Sequence, residues 1–294
     1  MPYPILGMRP YAPQDPGALG AIEWHRADAV TFFSGANIQS FADLSGNGRS
    51  VSLSGGNVNT RAVQLPASAP NGQPSASCPN PFAGFTTGYH GTLNYQLQQA
   101  GGAFSIFSVL KPDAAVDGNA AYRFAYASSD GTTAQFDGAN HWWTPFDTPD
   151  QLRASMTDSP IGLGGAEVGA VAGQWAYSLF CIDWGAGTIR SYLLGGLYKT
   201  DTVGDVADRT LLGCYFLRGS EGGPNLSVFN SWFGEVADLA VFAHAVDNAG
   251  QLPLLNQYVE ARYGPTMVTN AGAQRQARRF ARRGRIYVPA SLAC

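Results

Sequence analysis

The stretch GAFSIFSVLKP, residues 102–112, limits the fold more than any other part of the chain. Read with a period of two, it sets Phe104, Ile106, Ser108 and Leu110 on one face and Ala103, Ser105, Phe107 and Val109 on the other. Successive strand residues point to opposite sides of a sheet. A strand that is apolar on both sides is therefore covered on both sides, and it belongs in the middle of a layered stack. Other strand patterns surround it. AAYRFAYASS (120–129) places Tyr122, Phe124 and Tyr126 in register. WAYSLFCIDW (175–184) and TIRSYLLGG (188–196) are separated by Gly185, Ala186 and Gly187, a hairpin signal. RTLLGCYFLRG (209–219) and WFGEVADLAVFAHAV (232–246) complete the set. The 36 glycines and 18 prolines supply turns, and a charged fraction of 13% is too small to coat many helices. The expectation is an all-β fold.

One helix stands out, near 250–263, where Leu252, Leu255, Tyr258, Val259 and Arg262 recur with the helical period. Asp247 is its candidate cap, Pro253 suits only its first turn, and Gly264-Pro265 stops it. The helix is expected to close an edge or end of the sheets. Residues 1–20 hold five prolines and read as an extended arm, and the Pro/Ser/Asn-rich residues 65–85 read as a loop.

SFADLSGNGRSVSL, residues 40–53, poses a sharper question. Gly46 and Gly48 can adopt positive φ, while Asp43, Ser45 and Asn47 can bond nearby backbone N–H groups, which suffices for a self-capped corner. The competing reading makes Asp43 a calcium ligand, but such a site needs about six oxygens and the stretch offers few. The corner is preferred, and no cofactor or metal is expected.

Four segments taken in order resemble the concanavalin A-like (LamG-like) jelly-roll family of bacterial and phage surface proteins. They are EWHRADAVTFFSGANIQSFADLSGNGRSVSL, with its Trp strand and Asp-x-Ser-Gly-Asn-Gly corner; NGQPS; AFSIFSVLKP; and FGEVADLAVFAHAVDNAGQLPLLNQYVEARYG, a last strand and closing helix. The resemblance spans about residues 20–264. It implies a jelly-roll β-sandwich over 21–264 with one short C-terminal closing helix, an N-terminal arm over 1–20 and a basic arm over 265–294. It further implies a non-enzymatic structural protein of a bacteriophage virion, a tail or capsid-surface component whose lectin-like domain binds host or other glycans. A bacterial carbohydrate-binding adhesin module is the alternative, and a glycoside hydrolase a weaker one. In the virion reading the protein is made in the host cytoplasm. The start of the chain shows no basic segment followed by an apolar one, so no signal peptide is expected. No run of 18 apolar residues occurs, so membrane insertion is not expected either.

Catalytic patterns are missing from the sequence. Hydrolases of this architecture need two carboxylates flanking the scissile bond, and Glu235 and Asp238, three apart, fall on opposite faces of a regular strand. His25, His90, His141 and His244 show no ligand spacing, and Cys78, Cys181, Cys214 and Cys294 form no CxxC pair. The cysteines are read as free thiols, with Cys181 and Cys214 in core strands.

Two segments carry the binding expectations. DGANHWWTPFD (137–147) looks exposed and offers Asp137, Asn140, His141, Trp142 and Trp143 as a glycan platform, because sugar C–H faces stack on indole while hydroxyls bond Asp, Asn and His. The alternative is that one or both tryptophans plug the sandwich or an oligomer interface. The C-terminal segment places Arg275, Arg278, Arg279, Arg282 and Arg283 on one helical face, followed by RIYVP with Tyr287. Residues 265–294 carry six arginines and no acid; removing those six charges from the chain's net −3 leaves −9 on the body. Such an asymmetry fits docking onto an acidic protein surface, of other virion proteins or of further copies of the chain, with RIYVP as an added strand. Nucleic acid is the competing partner, disfavoured because the tail is short and the body acidic.

Overall fold

The computed structural model describes residues 14–53, 61–78, 88–97, 102–113, 123–129, 139–144, 151–156, 166–169, 173–202, 209–217 and 232–268. In chain order the strands are β1 (Ala21–Arg26), β2 (Val30–Ser34), β3 (Asn37–Phe41), β4 (Val51–Leu53), β5 (Val63–Ala69), β6 (Gln73–Cys78), β7 (Tyr89–Leu97), β8 (Ala103–Pro112) and β9 (Arg123–Ser129). They continue as β10 (Ala139–Thr144), β11 (Gln151–Met156), β12 (Ala166–Gly169), β13 (Ala176–Asp183), β14 (Thr188–Leu193), β15 (Gly196–Thr202), β16 (Arg209–Phe216) and β17 (Gly234–Phe242). The helix α1 covers Gln251–Tyr263.

Every described pairing is antiparallel, and together they make two layers. The first runs β1–β17–β8–β13–β14–β15. β6, with β5 beside it, shares the outer edge of β17 with β1. The second runs β2–β3–β4–β7–β16–β9–β10–β11–β12. They are joined beside β3 and β5, where Asn37 pairs with Val63 and the N–H groups of Ile38 and Gln64 donate to the carbonyls of Ala62 and Ala36. This is the jelly-roll β-sandwich expected from the sequence. β8 sits between β13 and β17, as its two apolar faces require, and is buried from Phe104 to Leu110.

One apolar cluster fills the space between the layers. Phe41 meets Tyr89 and Phe216 edge-on at 4.8 Å in each case, and Phe104, Phe180, Leu211 and Val241 join them. A second cluster lies on the outer side of the first sheet, where Phe107, Tyr177, Leu179, Ala240 and Phe242 are covered by Leu255, Tyr258, Val259 and Tyr263 of α1. The helix therefore lies across a sheet face instead of closing an edge or end. The sheet face is apolar over several strands, and burying one Leu or Val side chain there stabilises by about 1.5–3 kcal/mol.

Other expectations need revision. Residues 65–78 are not a loop. β5 and β6 form a hairpin around Asn71 (φ 58°) and Gly72 (φ 68°), the paired positive φ values of a tight reversed turn. Helix capping falls to Asn248, whose Oδ1 accepts from the N–H groups of Gly250 (3.0 Å) and Gln251 (2.9 Å). Asp247 instead accepts from the guanidinium of Arg190 and from Tyr192. Near the N-terminus, residues 16–20 make turns and Leu19 is buried, and beyond Gly264 a 3-10 turn (Pro265–Met267) buries Met267. Leu19 and Met267 thus both pack into the cluster under α1.

Candidate functional site

The corner at 43–48 is closed by its own atoms. Asp43 Oδ1 accepts from the N–H groups of Trp24 (3.1 Å) and Ser45 (2.9 Å), and Oδ2 accepts from Ser45 Oγ and the Arg49 N–H, both at 2.8 Å. Gly46 (φ 85°) and Gly48 (φ 71°) take the positive angles the turn demands. Burial pushes the Asp43 carboxyl up, but those hydrogen bonds outweigh it and hold the group below its ordinary value. Four donors occupy the carboxylate, so Asp43 ties the corner to β1. Among the described residues no three His, Cys, Asp or Glu side chains gather as a metal-holding group.

The carboxylates proposed to matter for hydrolysis are placed differently from the sequence reading. β17 carries a bulge: Val236 pairs with Leu110 and Asp238 with Val109, leaving Ala237 extra. The bulge breaks the alternation, so Glu235 and Asp238 share the helix-covered face instead of lying on opposite ones. Glu235 is ion-paired with Lys111 and accepts from Ser75 Oγ at 2.6 Å. Asp238 is fully buried and accepts from Trp24 Nε1 (2.7 Å), Tyr258 OH (2.6 Å) and Tyr263 OH (3.0 Å). Burial raises it to about 6 in spite of those donors. Neither carboxylate is open to a substrate.

A second buried polar group lies between the sheets. Glu23 accepts from Tyr126 OH at 2.9 Å and lies 2.7 Å from His25 Nε2, whose Nδ1 is 3.1 Å from the Ala42 carbonyl. Burial pulls the imidazole down, and the Glu23 carboxylate more than reverses that, so His25 is raised. Glu23 and His25, two apart in one strand, share a face, and that spacing was the available signal in the sequence. All of these atoms are shut off from solvent. They fix the packing of the core and offer no binding surface. The described thiols are likewise closed to chemistry: burial pushes Cys181 up to about 12 and raises Cys78 and Cys214 as well, while Cys294 lies outside the described residues.

On the second sheet the open described positions lie on the outer side of β7 and near the start of β16, whereas Ala125–Ser128 of β9 are buried. β7 alternates strictly: Tyr89, Gly91 and Leu93 are buried, whereas His90, Thr92, Asn94 and Gln96 are exposed. On β16, Leu211 and Cys214 face the core while Thr210 and Leu212 are exposed. The register then carries a row across the sheet: Ser52 pairs with His90, His90 with Tyr215, Tyr215 with Ala127, and Ala127 with Asn140. Asn140, His141, Trp142 and Trp143 thus belong to a strand, β10, between β9 and β11, and not to an exposed loop. His141 pairs with Tyr126 and Trp143 with Leu152, both buried in the inter-sheet core. Trp142, at the intervening position, pairs with Arg153. Asp137, the arginines 275, 278, 279, 282 and 283, and Tyr287 lie outside the described residues.

No protein-family model matches the chain, and no curated protein does. Among solved structures the chain is similar to the binding domain of botulinum neurotoxin serotype D (TM-score 0.54, 12% identity, 83% of this chain and 52% of that one). It is also similar to the botulinum neurotoxin serotype D ligand binding domain in complex with N-acetylneuraminic acid (TM-score 0.51, 11% identity, 84% and 53%). The chain spans about half the length of the solved structures it matches. At such identity the likeness establishes the fold alone, a jelly-roll β-sandwich.

Proposed function

We propose that the chain is a non-catalytic, lectin-like structural protein of a bacteriophage virion, which binds glycans through the outer side of its second sheet and assembles through its arms. The observation that carries the glycan reading is the unequal treatment of the two outer sheet faces. α1 covers one, whereas the other presents His90, Thr92, Asn94, Gln96 and Thr210 on β7 and β16, with β9 between them and β10. A row of polar side chains suits sugar hydroxyls, and the aromatic positions of β10, further across the same sheet, suit sugar C–H faces. Support from the fold is indirect, since the same architecture hosts many functions. The test is a glycan panel read by direct binding, with Thr92→Ala, Asn94→Ala and Trp142→Ala. Binding lost in these variants at unchanged melting temperature supports the reading, and wild-type protein that binds no glycan contradicts it.

The assembly part rests on where the chain leaves the described fold. Val268 packs beside Gly195, at the start of β15, which pairs only with β14 among the described strands and exposes Leu197 and Tyr198. An unpaired edge with exposed apolar residues accepts an added strand, and RIYVP of a neighbouring copy is the proposed occupant. A chain ending at Val268 keeps Met267 and should fold but assemble poorly. Mass spectrometry of purified virions tests the location, and its absence from particles would favour the bacterial adhesin.

A further inference from the structure

Arg61 is the buried charge that the fold leaves unanswered. It is 8% exposed, and its Nε and Nη1 are enclosed without a hydrogen-bond acceptor. The other buried charged groups, Glu23, His25, Glu235 and Asp238, are all partnered. Leaving a guanidinium unpaired in the interior is costly, and an aromatic contact reduces that cost here. The ring of Phe33 lies over the guanidinium at 3.5 Å.

The position of Phe33 is itself unusual. In the β2–β3 hairpin Phe32 pairs with Ile38 and Ser34 with Asn37, so Phe33 is the extra residue of a bulge. Bulges re-aim a side chain, and this one lays a ring on Arg61 while remaining 57% exposed. Phe32 beside it is 47% exposed, and β2 has β3 as its only partner among the described strands. Exposed rings in a pair on the β2–β3 hairpin, backed by a cation for which the described residues supply no anion, are an arrangement that a ligand would complete.

The geometry points to Arg61 and Phe33 as a receiving site for the carboxylate of an acidic sugar unit. The guanidinium fork matches a carboxylate in two parallel hydrogen bonds. The phenyl rings match the apolar face of a pyranose. Receiving a carboxylate there requires Phe33 to turn aside about its side-chain bonds, and its 57% exposure leaves it room to do so. The inference rests on the glycan-binding reading but uses a surface separate from the β7 row.

The experiment titrates the full chain with a glucuronate-containing disaccharide and with its neutral glucose counterpart, read by calorimetry and by the Nε–H resonance of Arg61. The acidic sugar should bind at least about tenfold more tightly than the neutral one, with the Arg61 resonance shifting. Arg61→Gln should abolish that difference while its melting temperature stays level or rises, because an unpaired buried charge is removed. Phe33→Ala, at an exposed position, should weaken acidic-sugar binding several-fold. Equal binding of the two sugars, full acidic-sugar affinity in Arg61→Gln, or a steep fall in its melting temperature would overturn the site. Neutral glycans that still bind through β7 in Arg61→Gln would leave the wider glycan reading standing, so the two ideas fail separately.

Discussion

The two outer faces of this sandwich show how one architecture divides holding the fold from meeting a partner. On the first sheet the outer side chains are Phe107, Tyr177, Leu179 and Phe242, and α1 lies on them. Even the carboxylate on that side, Asp238, is enclosed by one indole and two phenol donors. On the second sheet the same strand geometry carries His90, Thr92, Asn94 and Gln96 outward. Nothing in the backbone distinguishes the two faces. The side chains at alternate positions do, and they make the first face a second core and the second a polar surface.

If the covered face is a core, damage there should be severe. Gly234, on β17, has φ 131°, and an added Cβ would overlap the Lys111 carbonyl oxygen on β8. Gly234→Ala should therefore cost about 3 kcal/mol or more, combining backbone strain with overlap against main chain. Chemical denaturation checks this, and a loss below about 1 kcal/mol would mean that β17 and β8 slide apart easily. Leu255 is fully buried under the helix, and Leu255→Ala should cost about 2–4 kcal/mol. The matching change on the open face, Gln96→Ala, should stay within about 0.5 kcal/mol. Similar losses for the two would erase the contrast between the faces.

The covered face should also have its own pH signature. Asp238 holds its proton to about 6 in the folded protein, against an ordinary 3.8. Between those values the folded protein binds a proton that the unfolded chain has released. The stabilisation from this group is complete below about 4 and is lost as pH rises through 6. The Asp43 carboxyl, held below its ordinary value, works in the other direction: its contribution is present above that value and lost on acidification. Asp238→Asn should flatten the melting temperature between pH 4 and 6 relative to the native chain. Parallel curves would mean that Asp238 ionises as freely in the fold as outside it.

A smaller effect is expected at the corner between β3 and β4, which Asp43 ties to β1. Gly48→Val puts a β-branched residue at a φ of 71° and should lower the melting temperature by several degrees. EDTA should leave it unchanged, since protein donors occupy Asp43. A chelator-sensitive melting temperature would restore the calcium reading.

Legibility in the sequence followed regularity. β8, the β13–β14 hairpin and α1 were visible because their apolar residues keep one period throughout. β5 and β6 were hidden because Pro66 and Pro74 interrupt the pattern, although Asn71-Gly72 is a strong hairpin signal. The bulge at Ala237 could not be read, since Glu-Val-Ala-Asp looks regular until β8 is laid beside it. The candidate surface was only partly visible. The β10 residues were picked out by composition, but His90 and Thr92 lie some fifty residues earlier and are placed on the same sheet only through the register of β7, β16 and β9. Arg61 carries no local mark at all, because its meaning depends on a ring 28 residues away.

Hydrogen exchange of the full chain, with and without a saturating oligosaccharide taken from the glycan panel, tests the division between the faces most directly. Bound glycan should slow exchange in peptides covering residues 88–97 and 139–144 and leave residues 251–263 unchanged. Slowed exchange over α1 with no change at 88–97, or no change anywhere at saturation, would contradict a binding surface on the second sheet.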